Sequence, residues 1–297
     1  MAWRLLLGSV WIAGISLVLY VDTLLHAAHS PVILILGIVI SLRASHELTK
    51  LLQHQHINCS TTAKLATLLV AISPWIHHIW DAEFRLPDDS KSPFFSTFIA
   101  LMAALMATFI SRAKQFVKPG KTMIPLAADG FMIVYLGVPL AVIGLLRLQG
   151  PDLSPDASLL PLIATLVIIK GTDTGAYSFG KLIGKNKLAP ILSPGKTIEG
   201  ALGGIVFGVG GGLIVLYVIP QQVDSIPVSV SLSWIITAAI FTSVSGQIGD
   251  LAESLIKRDV QQKDSAPLMP GLGGVLDLLD SLLMAAPIAY FFWIIRW

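Results

Sequence analysis

Apolar runs of spanning length recur along the whole chain, broken by polar stretches near 54–61, 81–93, 112–121, 147–158, 178–199, 220–231 and 251–274. Crossing the hydrocarbon core of a bilayer takes roughly 20 mostly apolar residues in a helix. The pattern predicts about nine transmembrane helices, near 5–21, 31–51, 62–80, 94–111, 122–146, 159–177, 200–219, 232–250 and 275–297. The polar connections are of loop length, so the expected fold class is an all-α, polytopic integral membrane protein. The first run follows Arg4 in the manner of a signal peptide. Val21, Asp22 and Thr23 make no small-residue cleavage pattern and Leu24 and Leu25 turn apolar again, so it is expected to remain as an anchor.

Composition agrees with this reading. Only 13% of residues are charged and 54% are hydrophobic, against about 25% charged in an ordinary soluble domain. A net charge of +2, with no basic stretch interleaved with aromatics, excludes a nucleic-acid partner from the expectations. The sequence holds one cysteine, Cys59, which rules out an internal disulfide and a thiolate metal cluster. Nine spans place 15 of the 20 lysines and arginines on the N-terminal side of the membrane, and only Arg85, Lys91, Arg147 and Arg296 opposite. By the positive-inside rule the first side is the cytoplasm.

Three segments on that side carry the candidate chemistry. The sixth run ends in Lys170-Gly-Thr-Asp173-Thr-Gly-Ala-Tyr177, and charges at that depth mark a cavity or site unless they are paired. The following loop reads Ser193-Pro-Gly-Lys196-Thr197-Ile-Glu199-Gly200. It lacks the first glycine of a P-loop, where Pro190 stands, yet a lysine and a hydroxyl just before a helix N-terminus still suit phosphate. In the third segment Asp250 and Glu253 close the eighth run, Asp277 and Asp280 open the ninth, and Lys257, Arg258 and Lys263 lie between them. Each acidic pair is three apart and shares a helix face. Gathered carboxylates favour a divalent cation, and hard oxygen ligands favour magnesium over zinc. A metal held beside phosphate-binding cations is the equipment of phosphoryl or nucleotidyl transfer. Ion pairs of a membrane transporter are the non-enzyme alternative, although the polar segments cluster in the second half instead of repeating in both. Residues 1–120 thus read as N-terminal transmembrane helices and 121–297 as a C-terminal catalytic region.

The run Ser254-Leu-Ile-Lys257-Arg258, Lys263-Asp264, Pro270-Gly-Leu-Gly273-Gly274-Val-Leu-Asp277-Leu-Leu-Asp280 resembles the C-terminal signature of phosphatidate cytidylyltransferases, the CDP-diacylglycerol synthases. The earlier block, from Asp173-Thr-Gly-Ala-Tyr177 through Gly180-Lys181 to Ser193-Pro-Gly-Lys196-Thr197 and Glu199-Gly200, resembles that family too, in the expected order. The likeness covers about Gly171 to Ser281, with Glu47 as a further point of similarity. Two positions depart from it: Leu272 and Leu278 stand where the family usually has histidine and arginine.

The resemblance implies a reaction of CTP with phosphatidate, giving CDP-diacylglycerol and pyrophosphate. It implies Asp250 and Asp277 as first metal ligands with Asp280 and Asp264 in support, magnesium as the metal (with room for a monovalent cation), and Asp250, Asp277, Lys257 and Arg258 as the catalytic set. Asp173, Lys196, Thr197, Glu199, Ser254 and Lys263 are then expected to bind substrate. It further implies a homodimer in a bacterial-type cytoplasmic membrane, with its site facing the cytoplasm. A CTP-dependent polyprenol or phytol kinase, which would release CDP, is the nearest enzyme alternative. The glycines at 203, 204, 208 and 210–212 are expected to let helices pack closely. Tyr290, Trp293 and Trp297 are expected to form an interfacial belt, and Asp129 to face the site or pair with Lys170.

Overall fold

The computed structural model describes residues 30–84, 93–148, 157–222, 230–267 and 273–295, with Gly14, residues 17–22 and Leu24. Eight long helices cover them: α1 (Pro31–Gln53), α2 (Thr61–Phe84), α3 (Pro93–Lys114), α4 (Met123–Leu148), α5 (Leu160–Leu182), α6 (Ile198–Val218), α7 (Leu232–Asp259) and α8 (Val275–Ile294). They match the second to ninth apolar runs. The first run lies mostly outside the described residues, as do Arg4, Arg85, Lys91 and Arg296. Six of the eight, α1, α3, α4, α6, α7 and α8, are long and apolar enough to cross a membrane. In α5 the polar run from Lys170 to Thr174 lowers the apolarity, as Lys64, His77 and His78 do in α2. A count of nine is therefore not reached among the described residues, while the all-α, polytopic architecture is.

Successive helices alternate in direction, and contacts distant in sequence show which ends meet. The Gln55 side chain, just past α1, donates to the Asp259 carbonyl at the end of α7 (3.0 Å). Arg112, near the end of α3, donates to the Asn58 carbonyl between α1 and α2 (2.7 Å). Glu47 of α1 accepts from the first turn of α8 (2.9 Å). At the opposite end Arg147 pairs with the buried Asp22 (2.8 Å) and donates to Ser158 Oγ. The charged loops after α1, α3 and α7 thus gather at one end, which agrees with the parity that the charge bias implies.

Two helices contain a wide π turn, at Ile133–Gly137 in α4 and at Ile214–Val218 in α6. Each lies just before a proline, Pro139 or Pro220. A proline ring collides with the carbonyl four residues earlier, and here that residue, Tyr135 or Leu216, falls inside the wide turn, which opens space for the ring. Close packing elsewhere rests on glycine. A side chain at Gly204 would meet the Thr172 carbonyl at 2.8 Å, and one at Gly175 the Gly203 carbonyl at 2.6 Å, so α5 and α6 approach backbone to backbone. A side chain at Gly208 would collide with Thr172 and with Ser243 of α7, whose hydroxyls are hydrogen-bonded at 2.8 Å.

Two sequence expectations change. Tyr290 and Trp293 are buried, at 5% exposure each, where Trp293 meets Trp234 edge to face; they belong to the core and not to an interfacial belt. Trp297 lies outside the described residues. Asp129, fully buried, pairs with Arg112 (2.7 Å) and accepts from the Ser60 amide and hydroxyl, so its partner is on α3 and not Lys170.

Candidate active site

A short antiparallel hairpin, β1 (Lys187–Ala189) with β2 (Ser193–Thr197), joins α5 to α6. The sequence did not announce it, because Pro190, Pro194 and Gly195 read as loop punctuation. Thr197 closes the hairpin and caps α6, its hydroxyl accepting from the Gly200 amide (3.1 Å). Glu199 accepts from the Lys185 and Asn186 amides (3.1 and 3.2 Å) and from the Asn186 side chain (2.7 Å). In this arrangement Glu199 holds the loop before the hairpin and contacts no basic side chain in those bonds. The hairpin presents Lys196, which reaches across to Asp250 of α7 (2.7 Å).

Asp250 sits beside α8 because of its neighbour. A side chain at Gly249 would collide with the Asp280 carbonyl, so only glycine lets the two helices come this close. Asp280 is half-buried, and the charges of Asp250, Asp173 and Lys170 all act on it. One of its oxygens accepts from the Ser281 amide (2.5 Å). Lys170 and Asp173 pair with each other on α5 (3.0 Å) and remain exposed. Asp250 and Asp280, with Lys196 and Asp173 around them, form the open part of the cluster.

The closed part lies one turn further along. Lys257, 12% exposed, touches Glu253 (2.5 Å) and Asp277 (2.6 Å). Asp277 spends its other oxygen on three donors: the Gly274 amide (2.7 Å), the Ser265 amide (2.8 Å) and the Ser265 hydroxyl (2.6 Å). The first of these is half of a capping box for α8. Ser265 Oγ also lies 3.2 Å from Glu47, whose carboxylate accepts from the Leu276 amide (2.9 Å) and from Arg43 (2.9 Å). Gly273, at φ +81°, has no room for a side chain against the Asp277 carboxylate, nor has Gly274 against Ser265 and Glu47. These collisions explain the glycine pair. Glu47 was noted in the sequence only as a point of similarity; its contact with α8 spans too many residues to leave a local signal.

The remaining candidates stand apart from these contacts. Arg258 is exposed and donates to the Gln262 carbonyl (3.1 Å). Lys263 and Asp264 are exposed on the loop after α7, and Ser254 is half-buried on α7. Leu278 is half-buried and Leu272 lies outside the described residues.

The charges do not balance. Glu47, Asp250, Glu253, Asp277 and Asp280 bring five carboxylates against three contacting cations, Arg43, Lys196 and Lys257, a formal surplus of two negative charges. A divalent ion would neutralise it, as would protons held by two of the carboxyls. Among the described residues no three His, Cys, Asp or Glu side chains surround a common point. The pair Asp250 and Asp280 nevertheless suits magnesium, which is commonly held by one or two carboxylates and completed by phosphate oxygens and water. Asp277 already has four donors on it and would have to release Lys257 or Ser265 to ligate.

Comparison with known proteins gives a family and named relatives. Residues 4–295 match the cytidylyltransferase family. A protein of Bacillus subtilis named phosphatidate cytidylyltransferase is 47% identical over 125 residues, 42% of this chain and 44% of that protein. Proteins of the same name from Staphylococcus saprophyticus and Staphylococcus aureus are 41% identical over 127 residues and 40% identical over 128, each covering 43% of this chain and 46% of theirs. The aligned stretch thus spans less than half the length of the curated relatives it matches.

Proposed function

We propose that this chain, which belongs to the cytidylyltransferase family, transfers a cytidylyl group from CTP to phosphatidate, giving CDP-diacylglycerol and pyrophosphate. The observation that carries the reading is the Lys196–Asp250 ion pair, set where Gly249 brings α7 against the Asp280 backbone at the charged end of the bundle. The named relatives support phosphatidate as the acceptor.

In this reading an oxygen of the lipid phosphate forms a bond to the α-phosphorus of CTP. The bond from that phosphorus to the oxygen bridging the β-phosphate breaks, and pyrophosphate leaves with the electron pair. The attacking oxygen is already anionic and needs no general base, so the leucine at position 272, where the family usually has histidine, removes no required proton carrier. Asp250 and Asp280 would hold magnesium, which supplies charge neutralisation across the transferring and leaving phosphates. Lys196, on the rigid hairpin, turns from Asp250 to the nucleotide phosphates as the site fills. Lys257, clamped between Glu253 and Asp277, fixes α7 against α8 and adds positive charge behind the phosphates. Arg258 and Lys263 extend that positive field, while Asp173 and Ser254 orient the nucleotide.

The charge bias of the loops supports a site that opens to the cytoplasm from a bacterial-type inner membrane. The family resemblance supports a homodimer. Purified protein supplied with phosphatidate, CTP and magnesium is expected to form pyrophosphate and CDP-lipid in equal amounts. Release of CDP with a phosphorylated lipid would instead identify a lipid kinase, and no turnover with intact nucleotide binding would point to another acceptor.

A further inference from the structure

Two cavities lie end to end along the same pair of helices, on residues that take no part in the charged cluster. Between α3 and α4 runs a groove of about 420 Å³, walled by Leu105, Met106, Phe109, Ile110, Leu126 and Gly130. The one hydroxyl on its wall, Thr108, is turned back onto the Ala104 carbonyl (2.7 Å), which leaves the lining apolar. Met106 and Phe109 are more than 60% exposed although they sit in the middle of a spanning helix. A side chain at Gly130 would meet nothing within 4 Å, so the floor of the groove is open space.

Where α3 reaches its polar end the surroundings change within two residues. A second cavity, about 240 Å³, is lined by Arg112, Gln115, Val117, Lys118, Lys121 and Thr122. Three cations and no carboxylate face it. Arg112 is fixed there by Asp129 and the Asn58 carbonyl, while Lys118 and Lys121 are exposed. An apolar slot at hydrocarbon depth that runs into a cationic cup at headgroup depth matches the two halves of one molecule. We infer that the α3–α4 groove binds an anionic glycerophospholipid, with an acyl chain along Met106, Phe109 and Gly130 and the headgroup phosphate at Arg112, Lys118 and Lys121. Charge selects this occupant over a second copy of the chain: a two-fold contact through the same face would set these cations against their own counterparts.

The test is native mass spectrometry of delipidated full-length protein in detergent, titrated with dioleoyl phosphatidylglycerol or dioleoyl phosphatidylcholine. Each lysine near an anionic headgroup contributes about a fivefold preference. The wild type is expected to retain phosphatidylglycerol in preference to phosphatidylcholine, and Lys118→Ala with Lys121→Ala to lose roughly 25-fold of that preference. Gly130→Leu fills open space without disturbing the fold and is expected to weaken retention of both lipids. Equal retention of the two lipids by the wild type, or unaltered retention in both variants, overturns the proposal. So does displacement of phosphatidylglycerol by millimolar inorganic phosphate alone, which would make the cup a free-phosphate site, or its displacement by dimerisation.

Discussion

Glu47 and Leu276 stand 229 positions apart, and the carboxylate of one accepts the amide proton of the other at 2.9 Å. Through that bond α1 holds the first turn of the helix that carries Asp277 and Asp280. The Glu47 side chain is 1% exposed, so its loss leaves a buried amide without an acceptor, a cost of about 1–3 kcal/mol. Glu47→Ala is therefore expected to lower both the melting temperature in detergent and the turnover rate. Glu47→Gln, which keeps an acceptor oxygen, should recover part of each. An unchanged melting temperature in both variants would show that the contact carries no weight.

The two acidic settings of the site should separate in mutagenesis. Asp250→Asn and Asp280→Asn remove charge from the open pair, and each is expected to cut turnover by about 100-fold or more with little loss of stability. Added magnesium should partly compensate. Asp277→Asn removes the charge facing Lys257 and weakens the bonds to Ser265 and Gly274, so it should lower stability together with turnover. Full turnover in Asp250→Asn would remove the metal role from the open pair.

Lys196 reaches the site from the hairpin and not from a spanning helix. A charge-assisted hydrogen bond to phosphate contributes about 1.5–3 kcal/mol, so Lys196→Met should raise the KM for CTP roughly 10- to 100-fold. The effect on the melting temperature should be small. A changed kcat with an unchanged KM would place Lys196 on the transferring phosphate alone.

Cys59 lies in the turn between α1 and α2, outside the spanning segments. Burial, and then the negative charge of Asp129, push its thiol up to about 11. The raised value favours the neutral form, so at pH 7 only about one molecule in ten thousand carries the reactive thiolate. Maleimide labelling of the native protein should be slow at pH 7 and quicken about tenfold per pH unit until near pH 11. Rapid labelling at pH 7 would mean that this turn opens.

How much of this was legible in the sequence depended on range. The apolar runs marked α1 and α3 nearly to their ends, because burial in lipid is written residue by residue along a helix. Asp250 and Asp280 were legible as members of two acidic pairs, each three residues apart at the end of an apolar run. Their settings were not: Gly249 brings the two helices together, and nothing local says that Asp280 lies opposite it. Asp129 was singled out as odd, but its partner Arg112 could be found only once α3 and α4 were packed. Tyr290 and Trp293 misled because aromatic residues near a helix end suit either an interface or a core, and tertiary contact decides which.

The wide turn at Ile133–Gly137 makes α4 two helices out of phase with each other. Each α-helical residue turns the chain by about 100°, so removing one residue elsewhere in α4 would swing every later side chain onto a different face. Within the wide turn, in a chain that also carries Pro139→Ala, the same deletion would only restore ordinary helix and leave Leu140, Leu145 and Leu146 where they pack. At that one place in α4 the chain can lose a residue and keep its core.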